Sequence, residues 1–131
     1  MTNQDIIRDA LGLLGVLAET ESVSADQAAH GLRVLNDLMD EWEADNIEIG
    51  YYAQTEPNVE FPAMARTALA VKYALAVALA PHYGRSAPAE VAVLAQRYYA
   101  RLMRDAVEIP VASTAHLPRP NWRYDVASDQ L

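Results

Sequence analysis

Apolar residues recur at helical spacing in four stretches of this chain, and the polar residues between them mark where each stretch begins and ends. From Ser24 the segment SADQAAHGLRVLNDLMDEWEAD places Ala28, Leu32, Leu35, Met39 and Trp42 at steps of four, three, four and three. That recurrence is one face of an α-helix sustained for four turns. Ser24 and Gln27 form the S-x-x-Q capping box that opens it. A helix running to Asp45 is roughly 30 Å long, enough to span a small domain. Its outer face holds Arg33, Asp37, Asp40, Glu41 and Glu43, which suits solvent or a partner. Upstream, Thr2 and Asp5 cap a shorter helix with Ile6, Ala10, Leu13 and Leu14 inward, and Gly15 supplies a left-handed stop. Downstream, Pro62 is expected as the first residue of a third helix that runs to Tyr83 and stops at Gly84. Eight of residues 63–80 are alanine, so neighbours can approach this helix closely on every side and it is expected at the centre of the bundle. Pro88 opens a fourth helix with Val91, Leu94, Ala95, Tyr98, Leu102 and Ala106 as its stripe and Arg97, Arg101 and Arg104 as a basic flank.

Two stretches break the helical period. Asn46–Phe61 alternates weakly, with Ile47 and Ile49 apolar around Glu48, then Tyr51, Tyr52, Val59 and Phe61, and with Gly50 and Pro57 interrupting. It reads as a hairpin-like arm or two extended pieces. A connection this long in a small helical domain is more often functional than idle. After Glu108 the segment IPVASTAHLPRPNWRYDVASDQL contains Pro110, Pro118 and Pro120, which favour an extended path. Val111, Leu117, Trp122, Tyr124 and Val126 make this tail a segment that docks, on its own domain or, as favoured here, on a neighbouring subunit. The expected architecture is therefore all-α: a four-helix bundle-like domain over residues 1–108, a long extended or hairpin-like loop between helices two and three, and an extended C-terminal arm over 109–131.

Composition narrows the function classes. At 131 residues with 52% hydrophobic residues, the chain suits one folded domain with a real core. It has no cysteine, hence no disulfide framework and no thiolate metal site, as fits a cytoplasmic protein. The opening MTNQDIIRD has no basic stretch ahead of an apolar run, so no secretory leader is expected. The longest apolar stretch, Tyr73–Ala80, is far shorter than the roughly 20 residues of a membrane span. A net charge of −8 argues against an open, non-specific nucleic-acid binder. The charge is also divided along the chain. Residues 1–60 hold 13 acids and 2 bases, and residues 61–131 hold 5 acids and 8 bases. Such a division can orient a subunit against a partner, since complementary potentials set register and on-rate; the alternative is that it only reflects solvated helix faces.

Catalytic patterns are not expected from the residues. His30, His82 and His116 lack metal-ligand spacing. There is no Gly-x-Ser-x-Gly, no Ser-x-x-Lys and no glycine-rich phosphate loop. Asp37, Glu41 and Asp45 line one helix face at steps of four. A row on an exposed face offers no cleft of the kind that two hydrolytic carboxylates need. It is read instead as a solvated face or as charge presented to a partner or a ring lumen. Tyrosine, arginine and tryptophan are enriched where proteins bind one another. Tyr51 and Tyr52 in the loop, and Leu117, Arg119, Trp122, Arg123 and Tyr124 in the tail, are accordingly the expected partner-binding residues.

The run Leu35-Asn36-Asp37-Leu38-Met39 followed by Trp42, then Asn46-Ile47-Glu48-Ile49, then Leu79-Ala80-Pro81-His82-Tyr83-Gly84, with the opening Ala10–Gly15, resembles the head-to-tail adaptor, or head-completion, proteins of short-tailed bacteriophages. The resemblance covers about Asp5–Ala106. It implies a structural, non-enzymatic virion protein without cofactor or metal, assembled in the host cytoplasm and placed at the head–tail junction. It further implies a monomer when free that joins as a ring, twelve-fold in the particle, on the portal protein, closes the packaged head and seats the next tail component. Its arms would engage the portal or adjacent copies, and DNA would pass through the ring without specific binding, repelled by an acidic face such as Asp37, Glu41 and Asp45. Two other readings stay open on the residues alone: a small helical regulatory module that dimerises through helix four, and a cell-wall hydrolase using Glu41 or Glu43.

Overall fold

The computed structural model describes residues 1–106 and consists there of four packed helices with no strand: α1 Asn3–Leu13, α2 Ala25–Ala44, α3 Ala68–Leu79 and α4 Ala89–Ala106. The tail, with the boundary expected at 108/109, lies outside the described residues. Both predicted capping boxes form. Thr2 and Asp5 exchange hydrogen bonds at the start of α1, and Ser24 and Gln27 do the same for α2. The bonds Asp5 receives from the backbone and hydroxyl of Thr2 hold its carboxyl below the usual carboxylate range. The stops also stand where expected, with Gly15 and Gly84 at φ +71° and +65°, the left-handed region that glycine enters freely. Arg85 adds to the first stop by donating to the carbonyls of Leu14 and Gly15, both 3.3 Å away.

Helix α3 is the central element and packs against α1, α2 and α4. Val71, Leu75, Ala76 and Leu79 on it are completely buried, together with Ile6, Ile7 and Leu11 of α1 and Leu35 of α2. Alanines on several sides let α1 and α4 close in on it. Lys72 adds an ion pair to Asp9 of α1 at 2.8 Å. A second close approach joins α1 to α2 at Gly31, where an added Cβ would stand 2.6 Å from Cγ2 of the fully buried Ile7. The glycine is there because Ile7 occupies the space a side chain would need.

The third helix begins six residues later than Pro62. Residues 62–64 are non-helical, Ala65–Thr67 form a 3-10 turn, and α3 starts at Ala68. The reason lies upstream: Phe61 is buried in the core and its N–H donates to the carbonyl of Met1, so the chain is tied across to the N-terminus before it can turn. Met64 is still extended, and its carbonyl accepts both the N–H and the hydroxyl of Thr67. At the other end Pro81 lies in a 3-10 turn, Ala80–Tyr83, that follows α3 directly.

Candidate functional site

The long loop between α2 and α3 is bound tightly into the domain. Its expected alternation is real as burial: Ile47 and Ile49 are buried and Glu48 is exposed. No ladder of strand pairing forms among the described residues; Thr2 and Glu60 make an isolated bridge. Two asparagines hold the loop instead. The amide of Asn36 on α2 pairs with the backbone of Gln54 as a strand would, its Oδ1 accepting the Gln54 N–H at 3.0 Å and its Nδ2 donating to the Gln54 carbonyl at 2.9 Å. From α1, Nδ2 of the completely buried Asn3 donates to Oε1 of Gln54 at 3.1 Å and to the Glu56 carbonyl at 3.2 Å. Gln54 Nε2 donates in turn to the Tyr52 carbonyl at 2.9 Å.

The loop also completes α1. A helix leaves its first N–H groups without intrahelical acceptors. Here the N–H of Asn3 donates to the Val59 carbonyl and that of Gln4 to the Pro57 carbonyl, while that of Asp5 donates to the Thr2 hydroxyl. Helix and loop satisfy one another, so neither end is free to move alone.

This arrangement separates the two adjacent tyrosines. Tyr51 turns inward: its hydroxyl donates to Asn36 Oδ1 and its ring lies 5.6 Å from that of Phe61. Burial pushes its phenol well above the ordinary tyrosine range. Tyr52 points out and is 66% exposed. Of the pair expected to bind a partner, Tyr51 fastens the loop, which forms a ledge on α1 and α2, and Tyr52 is displayed on that ledge. Leu117, Arg119, Trp122, Arg123 and Tyr124 lie outside the described residues.

Of the acidic row on α2, Asp37 and Glu41 are exposed, as are Asp40 and Glu43 beside them. Asp45 is engaged with α4, its carboxylate accepting from the Tyr99 hydroxyl. That hydrogen bond pushes the Tyr99 phenol up to about 12. The Tyr99 ring sits 5.8 Å from the buried Trp42, so this tyrosine closes the seam between α2 and α4. Tyr98, on the expected helix-four stripe, and its neighbour Tyr99 are both half-buried, Tyr98 on Tyr73 and Tyr99 on Trp42. Two histidines that look scattered in sequence also meet. His30 and His82 stack edge to face with ring centroids 4.8 Å apart, beside Tyr83.

Chemically these surfaces offer shape, charge and hydrogen bonding. A groove of about 660 Å³ runs between the first half of α2 and the loop. Its described lining includes Val23, Ala28, Leu32, Asn36 and Gln54 and contains no carboxylate or imidazole to act as acid or base. The Ser24 hydroxyl at its edge accepts from the Gln27 N–H as a helix cap. No helix among the described residues is long and apolar enough to cross a membrane. The signal for the loop's anchors was present in the sequence as Asn36 inside the Leu-Asn-Asp-Leu-Met run, a short amide beside an apolar stripe. What it pairs with could not be read there.

No curated protein matches the sequence. The family of the P22 tail accessory factor matches residues 1–121, from the first helix through most of the tail. The chain therefore belongs to the P22 tail accessory factor family, structural components of the virion tail.

Proposed function

We propose that this protein is a subunit of the head-to-tail connector: it joins the portal ring of a filled head, closes the head, and provides the seat for the next tail component. The family match over residues 1–121 carries the reading. The fold supports it, since the surfaces it builds are suited to docking. The displayed Tyr52 and the tail residues Leu117, Arg119, Trp122, Arg123 and Tyr124 are the proposed contacts to the portal or to an adjacent copy. The free protein is a monomer and the assembled one a ring, twelve-fold on a twelve-fold portal. A contact that is weak for one copy becomes strong when a template holds many copies together. The exposed carboxylates of α2, Asp37 and Glu41 first and Asp45 at the end of the row, are proposed to face the channel. Carboxylates there would repel phosphate and let DNA slide.

The test is complementation. Heads packaged in a phage that lacks this protein are incubated with the purified chain, then assayed for retained DNA and for infectivity after tail components are added. Retention and infectivity are both expected to return. Heads that keep their DNA without it, or lose it in its presence, would refute the closure role.

A further inference from the structure

A second surface lies on the other pair of helices. Between α3 and α4 runs a groove of about 260 Å³ whose floor includes Ala70, Tyr98 and Leu102, with Leu69 on its rim 47% exposed. Arg66 and Arg101 flank it, and Asp105 is the one carboxylate beside them, which leaves the rim net positive. Arg97, Arg101 and Arg104 are all exposed along the outside of α4. At 100° per residue, Arg97 and Arg101 each stand about 200° around the helix from Tyr99, the residue that faces α2. The basic flank therefore points away from the acidic helix of its own chain. The Tyr52 ledge rests on α1 and α2, and this groove on α3 and α4, so one copy presents both at once.

The two surfaces are complementary. Residues 34–65, which include the second half of α2 and the whole ledge, carry eight acids and no base. Residues 66–106, which include α3 and α4, carry six bases and two acids. Tyr52 is an exposed aromatic on the acidic side. The groove is a slot of mixed polar and apolar lining, with Leu69, Ala70 and Leu102 between two guanidinium groups, which bind an aromatic face as well as a carboxylate. A chain with one such knob and one such slot on different helix pairs associates head to tail, and a head-to-tail contact makes a ring when its rotation closes, as a portal template would impose.

We infer that the lateral contact between copies seats Tyr52 and its acidic ledge of one chain in the Arg66–Leu69–Arg101 groove of the next. The inference rests on the connector reading and assigns the faces that meet within it. Like charge disfavours the chain's own tail as occupant, since that segment would bring Arg119 and Arg123 to Arg66 and Arg101.

The chain has no cysteine, which makes the test direct. Ala53→Cys, beside an intact Tyr52 and exposed like it, and Leu69→Cys single variants of the full chain are mixed under mild oxidation, free at high concentration and also with portal rings. A disulfide dimer that needs both variants is expected, and its yield should drop several-fold at about 0.5 M salt and with Arg101→Glu introduced into the Leu69→Cys chain. Dimers formed equally well by either variant alone would mean a two-fold contact and overturn the inference. A Leu69→Cys/Trp122→Cys chain that closes on itself while the mixture does not would give the groove to the tail. Retention on portal rings without the mixed disulfide sinks the lateral contact and leaves the connector reading intact. A mixed disulfide in the free protein with no retention on the portal does the reverse.

Discussion

Helix α3 and the loop that precedes it are neighbours in sequence, yet different forces hold them in the domain. Helix α3 is surrounded. Its alanines and buried aliphatic side chains contact three other helices, and its stability comes from apolar area removed from water. The loop has anchors at its ends, Ile47 and Ile49 at one and Phe61 at the other. Between them it is fixed by amides: Asn36 on the Gln54 backbone, Asn3 on Gln54 and Glu56, and the first N–H groups of α1 on Pro57 and Val59. Damage to the first region should loosen the whole domain, and damage to the second should release a ledge while the helices stay folded.

The sharpest break of that contrast is at Leu75, fully buried on α3. Leu75→Ala is expected to cost about 3 kcal/mol of global stability, as a large-to-small core change does. Chemical denaturation should show the midpoint falling with the cooperativity unchanged. Next comes Asn36→Ala, which removes the partner of both Gln54 backbone groups and of the Tyr51 hydroxyl. Leaving such groups unsatisfied costs about 2 kcal/mol. Hydrogen exchange should then speed up across the loop and at the first turn of α1 while α3 and α4 stay protected. Acceleration spread evenly over all four helices would erase the distinction.

Gly31 tests packing against propensity. Alanine is the better helix former by about 1 kcal/mol, so an open site would be stabilised by Gly31→Ala. Contact with the buried Ile7 should reverse the sign, giving a loss of about 1 kcal/mol on balance. A higher melting temperature would show that α1 and α2 have room to part. Tyr52→Ala is expected to leave stability within about 0.5 kcal/mol, as exposed sites do, and to weaken assembly alone. The smallest effect concerns His30, whose pKa is lowered by burial and then by the nearby His82 and Arg33. Its folded value lies below the unfolded one, so the unfolded chain binds the proton first. Stability should be full above about pH 6.5 and decline as pH falls from there toward the folded value. His30→Gln should flatten that decline in a series of melts against pH.

Sequence reading reached one side of this comparison better than the other. Periodicity is a local signal, so the stripe of α2, the alanine-rich centre of α3, the two capping boxes and the glycine stops were all legible. The start of α3 was not, because Pro62 suits a helix entrance and the constraint that prevents one is the tie from Phe61 to Met1, sixty residues away. The loop's fixity was invisible for the same reason. Asn3, Asn36 and Gln54 are unremarkable polar residues until the fold brings them together across 18 to 51 positions. Tyr51 and Tyr52 are indistinguishable as a pair in sequence, and only Asn36 and Phe61 decide which faces inward. The meeting of His30 with His82 and of Asp45 with Tyr99 likewise depends on how helices cross.

The connector account stands or falls on whether this chain recognises a portal ring. Sedimentation velocity of the purified protein, alone and with the portal protein encoded alongside it, answers that directly. The account predicts a monomer alone that moves into a portal complex at about one adaptor per portal subunit. A small oligomer that forms by itself and ignores the portal would contradict it.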